Sequence, residues 1–157
     1  MIEIVSYCRN HQPRFEKLNR EWIEKFFRME KVDEEVLQQP EEFILRDGGF
    51  ILMALWEGEA AGTVALRKMK TGDFELTKMA VDEKFRGRGI GEELIKKLLE
   101  RAAQMGLEKV ILYSNTVLKP AIRLYRRMGF IEMEAEKGVY ARCNIKMEFR
   151  LRAGQAI

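Results

Sequence analysis

Histidine occurs once, cysteine twice and proline three times in 157 residues. The single His11 stands near a predicted helix start with no second ligand in sequence reach, so no metal site is expected. Cys8 and Cys143 are too far apart in sequence for a redox or zinc motif and read as buried small hydrophobes in a reducing cytosol. No apolar run approaches the roughly 18 residues that a membrane-spanning helix needs. The opening "MIEIVSYCRN" carries charge early and lacks the apolar stretch of a secretory signal, so a cytoplasmic location is expected. Charge of one sign is also scarce: 28 Lys and Arg against 25 Asp and Glu leave +3. That surplus excludes neither fold nor enzyme, but it argues against nucleic acid or an anionic membrane as partner. An anionic ligand must then be met by local positive charge. Repeats, linkers and low-complexity segments are missing too, and the length suits one domain over residues 1–157.

What is present is a dense alternation of strand and helix signals. "IEIVSYC" is β-branched and aromatic enough for a first strand. From Pro13 to Met29, Phe15, Leu18, Trp22, Ile23 and Phe26 recur at helical spacing. A second helical piece starts at a plausible cap, Asp33, and stops before Pro40; a third, "EEFILRD", ends at Gly48–Gly49. Two strands follow around a turn at Glu57–Gly58, then a turn at 70–73 and the strand "FELTKMAVD". Ile90, Leu94, Ile95, Leu98, Leu99 and Ala102 mark the apolar face of a helix ending at Gly106. "EKVILYS" predicts a strand buried on both faces, "KPAIRLYRRM" a helix, and "FIEMEA" and "ARCNIKMEFRL" two closing strands. This order predicts an α/β (α+β) fold, a mixed sheet with helices on its faces.

Between "FELTKMAVD" and its helix lies "KFRGRGIGEEL", residues 84 to 94. A helix N-terminus offers unpaired N–H donors and a partial positive charge, and glycines let an anion approach that backbone. Phosphate is the usual guest, and Arg86 and Arg88 add charge-assisted contacts. The Walker A pattern fails because no Gly-Lys-Ser/Thr is present. The dinucleotide fingerprint fails on spacing, Gly87-x-Gly89-x-Gly91, and because four strands precede it.

The spacing that fits is R-x-x-G-x-G: Arg86, Gly87, Arg88, Gly89, Ile90 and Gly91. It resembles the acetyl-coenzyme A signature of the GNAT family of N-acetyltransferases, and the element order is similar over nearly the whole chain. The resemblance implies the GNAT fold, a central, mixed and mostly antiparallel twisted sheet of about seven strands with helices on both faces. It implies acetyl-CoA as co-substrate, its pyrophosphate at this loop and its pantetheine arm along the backbone of Met79, Ala80 and Val81, where an N–H polarises the acetyl carbonyl. "SNTVLKPAIRLYRRMGF" is similar to the family's next segment. There the resemblance implies that Asn115 bonds pantetheine, Ala121 leaves room for it, and Tyr125 protonates the departing thiolate. Read from the residues alone, Tyr125 is equally an ordinary core aromatic spaced with Ile122 and Met128.

The acceptor amine needs a base. Strand alternation sets Glu75 on the face of Met79 and Val81, which makes it the candidate, acting through water; Glu30 and Glu21 are weaker options, and a solvated strand glutamate is the alternative reading of Glu75. Asn19, Trp22, Glu30 and Glu75 are the expected acceptor-side residues, although Trp22 and Phe26 also suit a plain core. The stretch "LNREWIEKFFRMEKVDEEVLQQPEEFILRDGG" resembles acetyltransferases found alone or fused to MarR-type regulators, which implies a small amine as acceptor, free amino acids among them; no regulator is expected here, since the chain opens on its first strand. Family habit also implies a homodimer. Arg123, Arg126 and Arg127 read as a solvated helix face. The competing functions are a protein or peptide N-acetyltransferase and a non-catalytic CoA-binding sensor module. Neither cysteine adjoins a base in sequence, so direct transfer in a ternary complex is expected.

Overall fold

The strand signals pair into one seven-stranded sheet in the order β1-β2-β3-β4-β5-β7-β6. The computed structural model describes residues 1–134 and 141–151. Its strands are β1 (Ile2–Ser6), β2 (Phe50–Trp56), β3 (Glu59–Lys68), β4 (Phe74–Val81), β5 (Lys109–Ser114), β6 (Ile131–Met133) and β7 (Ile145–Arg150), and its α-helices are α1 (Gln12–Phe26), α2 (Lys31–Gln38), α3 (Ile90–Gln104) and α4 (Lys119–Arg127). Every neighbouring pair runs antiparallel except β4 and β5. The expected mixed, mostly antiparallel sheet with helices on both faces is what forms.

Two apolar clusters fill the two faces. On one, Leu94, Ile95 and Leu98 of α3 and Ile122 of α4 pack on Val64, Leu66 and Leu76. On the other, Phe15, Ile23, Val36 and Leu37 of α1 and α2 pack on Ile51, Met53 and Ala65. Burial decides where α3 begins despite its glycines. Each glycine weakens the helix by up to about 1 kcal/mol, whereas the buried Ile90, Leu94, Ile95, Leu98 and Leu99 of α3 contribute roughly 2 kcal/mol apiece. Val110, Ile111 and Leu112 are all buried, as expected of a strand covered on both faces.

Several boundaries differ from expectation. α1 stops at Phe26, because Phe27 turns to extended backbone. Asp33 does not cap α2; it lies inside it, and its carboxylate accepts the N–H of Glu30, the true N-cap, at 2.9 Å. "EEFILRD" contains a π-helical turn, Glu41–Leu45. The last strand begins at Ile145 rather than Ala141, and the end of the "FIEMEA" strand at Ala135 lies outside the described residues.

Candidate active site

β4 and β5 pair in parallel at one registered position, Glu75 opposite Ile111. Beyond it the ladder stops. The C-terminal ends of the two strands, Met79, Ala80 and Val81 on one side and Ser114 and Asn115 on the other, line a single cavity of about 550 Å³. Unpaired strand ends expose backbone donors and acceptors, which an extended, amide-bearing guest can satisfy.

β4 is not a regular strand. Thr77 faces Ala65 and Ala80 faces Thr63, so Lys78 and Met79 together oppose the lone Val64. This bulge puts Lys78 at φ 53°, a left-handed conformation unusual for lysine. It also resets the alternation on which the sequence reading relied. Glu75 and Thr77 share a face with Arg67 and Ala65, and past the bulge that face continues through Ala80, not Val81. Val81, opposite Gly62, belongs with Leu76 on the face of α3. Glu75 therefore points to the side of α1 and α2, opposite to Val81. The expected grouping of Glu75 with Met79 and Val81 is corrected, since both of those side chains pack in the cluster under α3.

The glycine-rich loop delivers its amides to the same cavity. Arg86, Gly87, Gly89, Ile90 and Gly91 all line it. Gly87 (φ 78°) and Gly89 (φ 77°) lie in the left-handed region, and a Cβ on either would meet nothing within 4 Å. Space above those atoms is open. Gly91 has a different role, since a Cβ there would come within 3.0 Å of Leu124, so its smallness lets α3 and α4 approach. Among the described residues no side chain accepts a hydrogen bond from the amides of residues 87–91, and the N-cap of α3 is Gly89 itself. Open, uncapped N–H groups at a helix start fit a diphosphate. Arg88 is not among the residues that line the cavity; its guanidinium lies 4.7 Å from the Trp56 ring and 5.4 Å from that of Phe85. Arg123 and Arg127 are exposed, as expected of a solvated face, and they also line the cavity with Arg86, Arg127 within 3.5 Å of the Glu92 carboxylate. They supply the local positive charge that the net charge of the chain lacks.

On α4, Tyr125 is 7% exposed and lines the cavity beside Ala121 and Leu124. Its ring meets Phe130 edge-on at 5.9 Å, and among the described residues its hydroxyl has no hydrogen-bond partner. Burial drives its pKa above the usual phenol range, which keeps the proton in place. Asn115 also lines the cavity, but its side chain is engaged within the protein. Nδ2 donates to the Arg142 carbonyl at 2.6 Å, and Oδ1 accepts from the Val117 N–H at 2.9 Å.

A buried charge cluster that the sequence does not foretell reaches the cavity, with two of its members, Lys78 and Arg142, on the wall. Asp33, wholly buried, accepts from Lys78 Nζ at 2.8 Å and from both terminal nitrogens of Arg142 at 2.7 and 2.8 Å. Burial alone would raise the Asp33 pKa, but Arg142, Lys78 and the Glu30 N–H outweigh it and hold the carboxyl at about 2. Glu30 joins the cluster through Arg142 at 3.1 Å rather than lining the cavity. Glu75 is 1% exposed and does not line the cavity either; its Oε1 is buried with no hydrogen-bond partner among the described residues. Burial raises its pKa to about 7, with Lys78, Arg67 and Arg142 pulling in the other direction.

Of the expected acceptor-side residues, Trp22 lines the cavity, with Phe26 and Phe27. Asn19 does not. It is buried inside α1, donating to the Phe15 carbonyl at 3.0 Å and accepting from Trp22 Nε1 at 3.1 Å. Glu21 is exposed and off the cavity. Cys143, absent from the sequence-based site, is on the wall, half-buried, and burial pushes its thiol up to about 11. The signal that a sequence could offer for this cluster is a glutamate and a lysine, Glu75 and Lys78, in a central strand.

Comparison with known proteins bears on this geometry. The profile of the family described as Acetyltransferase (GNAT) family matches residues 15–130. Over 89 residues the chain is 36% identical to the human N-acetylaspartate synthetase, covering 56% of this chain and 30% of that protein. Over 64 residues it is 45% identical to an uncharacterized N-acetyltransferase of Methanocaldococcus jannaschii, covering 41% and 28%. These matches thus span less than a third of either relative's length. A crystal structure of a GNAT-family acetyltransferase from Staphylococcus aureus Mu50 superposes with a TM-score of 0.87 at 20% identity, over 97% of this chain and 100% of that one. A PaiA N-acetyltransferase from Thermoplasma acidophilum, solved in complex with coenzyme A, superposes at 0.71 and 14% identity, over 96% and 99%.

Proposed function

The chain belongs to the GNAT acetyltransferase family, and from that premise we propose that it transfers acetyl from acetyl-CoA to a primary amine of a small molecule, free amino acids included, by direct transfer in a ternary complex. One observation carries the reading: a single cavity joins the parted ends of β4 and β5 to the uncapped amides of α3. An extended chain ending in a diphosphate would satisfy both at once. The glycines at 87 and 89 leave the room such a group needs, and Arg86, Arg123 and Arg127 on the wall match its charge. The part-length relative named for N-acetylaspartate synthesis supports an amino acid as acceptor.

Bound acetyl-CoA would supply an activated acyl thioester; the remaining work falls to the protein. The N–H of Met79, a residue of the bulge, donates to the acyl oxygen as charge builds there. The Tyr125 hydroxyl, held protonated by burial, gives its proton to the sulfur as it departs. Glu75, its pKa near 7, takes the proton of the acceptor ammonium through water, since it lies behind the wall and not on it. The Cys143 thiol stays protonated at neutral pH, which disfavours an acyl-cysteine route and supports direct attack by the amine.

Release of free thiol from acetyl-CoA, followed across amino acids, polyamines and short peptides, tests the reading. Turnover confined to small amines supports it. Preference for peptides would replace the acceptor class, and tight CoA binding without turnover on any amine would leave a CoA-binding module in its place.

A further inference from the structure

The bulge in β4 has an unusual price in sequence terms: its left-handed residue is a lysine, not a glycine. Lys78 at φ 53° is strained relative to an extended backbone. Regular pairing at this position would remove that strain. It would also carry the Lys78 side chain to the face of Leu76 and Val64, under α3, where the neighbours are apolar. In the bulged conformation the side chain reaches the opposite face instead. There its ammonium, 1% exposed, lies 2.8 Å from the fully buried Asp33 carboxylate. Asp33 is itself immobile, clamped by two Arg142 nitrogens and the Glu30 N–H.

We propose that Lys78 is a positioning residue: its buried ion pair with Asp33 holds the β4 bulge and thereby keeps the Met79 N–H out of the β3–β4 ladder and available at the cavity. The inference rests on the acetyl-transfer reading for its catalytic consequence, but not for its structural one. It makes α2, an element with no cavity-lining residue of its own, a brace for the donor on β4. Acceptor-side elements and the acyl-polarising amide then share one rigid charge cluster.

Lys78→Met tests it. Methionine keeps the stem, loses the charge and is at home under α3, so nothing opposes regular pairing. The variant is expected to fold, because Asp33 keeps both Arg142 contacts. Its unliganded crystal structure is expected to show Val64 opposite one residue, without the left-handed backbone at 78. With acetyl-CoA labelled at the acyl carbon, the carbonyl stretch shifts on binding to the wild type, and that shift is expected to vanish in the variant. kcat is expected to fall about 100-fold, the scale of one lost oxyanion donor, with the CoA Kd within about threefold. Asp33→Asn, altered on α2 and not on β4, is expected to reproduce the loss of the carbonyl shift. A bulge intact in the Lys78→Met crystal overturns the proposal. So does an unchanged carbonyl shift, or a parallel loss of CoA affinity and kcat that marks general damage. A wild type that binds no acetyl-CoA sinks the acetyl-transfer reading instead, and the unliganded crystal still decides whether the pair holds the bulge.

Discussion

Replacing Glu75 by glutamine removes a buried charge without changing shape, and the consequence for stability follows from its surroundings. The carboxyl has an ordinary pKa of 4.5 in the unfolded chain, and burial raises it to about 7 in the folded one. Between those values the folded state holds a proton that the unfolded state has released. Folding stability therefore falls as pH rises from about 4.5 through about 7. At about 1.4 kcal/mol per pH unit, the displacement amounts to on the order of 3 kcal/mol. Asp33 behaves oppositely. Its folded pKa is depressed from 3.8 to about 2, so its contribution is complete above about pH 4 and is lost only in stronger acid. It does not tilt the curve between pH 5 and 8. Glutamine at position 75 has no proton to lose, so wild type and Glu75→Gln should be close in stability at pH 5 and diverge by pH 8, the variant being the more stable. For a domain of this size, about 3 kcal/mol corresponds to roughly 6–12 °C in Tm. Urea titrations and thermal melts at half-unit pH steps measure the divergence. Parallel curves for the two proteins from pH 5 to 8 would refute the burial argument and, with it, the poise that suits Glu75 to accept a proton near neutrality. In the same buffers, kcat/KM of the wild type should rise with an apparent pKa near 7, and the variant should lack that limb.

Tyr125→Phe should lower kcat by about 100-fold or more, the usual scale for a positioned proton donor, while acetyl-CoA affinity by calorimetry stays near wild type; equal turnover would take Tyr125 out of the chemistry. Gly89→Ala forces a Cβ onto a left-handed backbone at φ 77°, so urea unfolding should show a loss of about 1–2 kcal/mol. The same variant should bind CoA more weakly, because relief of that strain reorients the first amides of α3.

The parts of the site that were legible in the sequence are local ones. The strand–glycine–helix order, the R-x-x-G-x-G spacing and the helical spacing that sets Tyr125 beside Ile122 all concern residues within a turn or two of each other. Local steric rules fix such patterns before any long-range contact forms. Asn19 was misread because its neighbours decide its role: a buried amide inside α1 must satisfy its own polar atoms, and it does so on Phe15 and Trp22.

By itself, then, the sequence determined the elements, their order, the glycine backbone that leaves α3 uncapped and the phenol on α4. The tertiary structure alone decided which way β4 faces. A period of two assumes an uninterrupted ladder, and the bulge at Lys78 and Met79 breaks it through pairing with β3. It also decided the charge cluster, whose members Asp33, Lys78 and Arg142 lie 45 and 109 residues apart. No local propensity can bring such residues together; only the closing of two helices and a distant strand end over one sheet removes their charges from water and forces them onto one another.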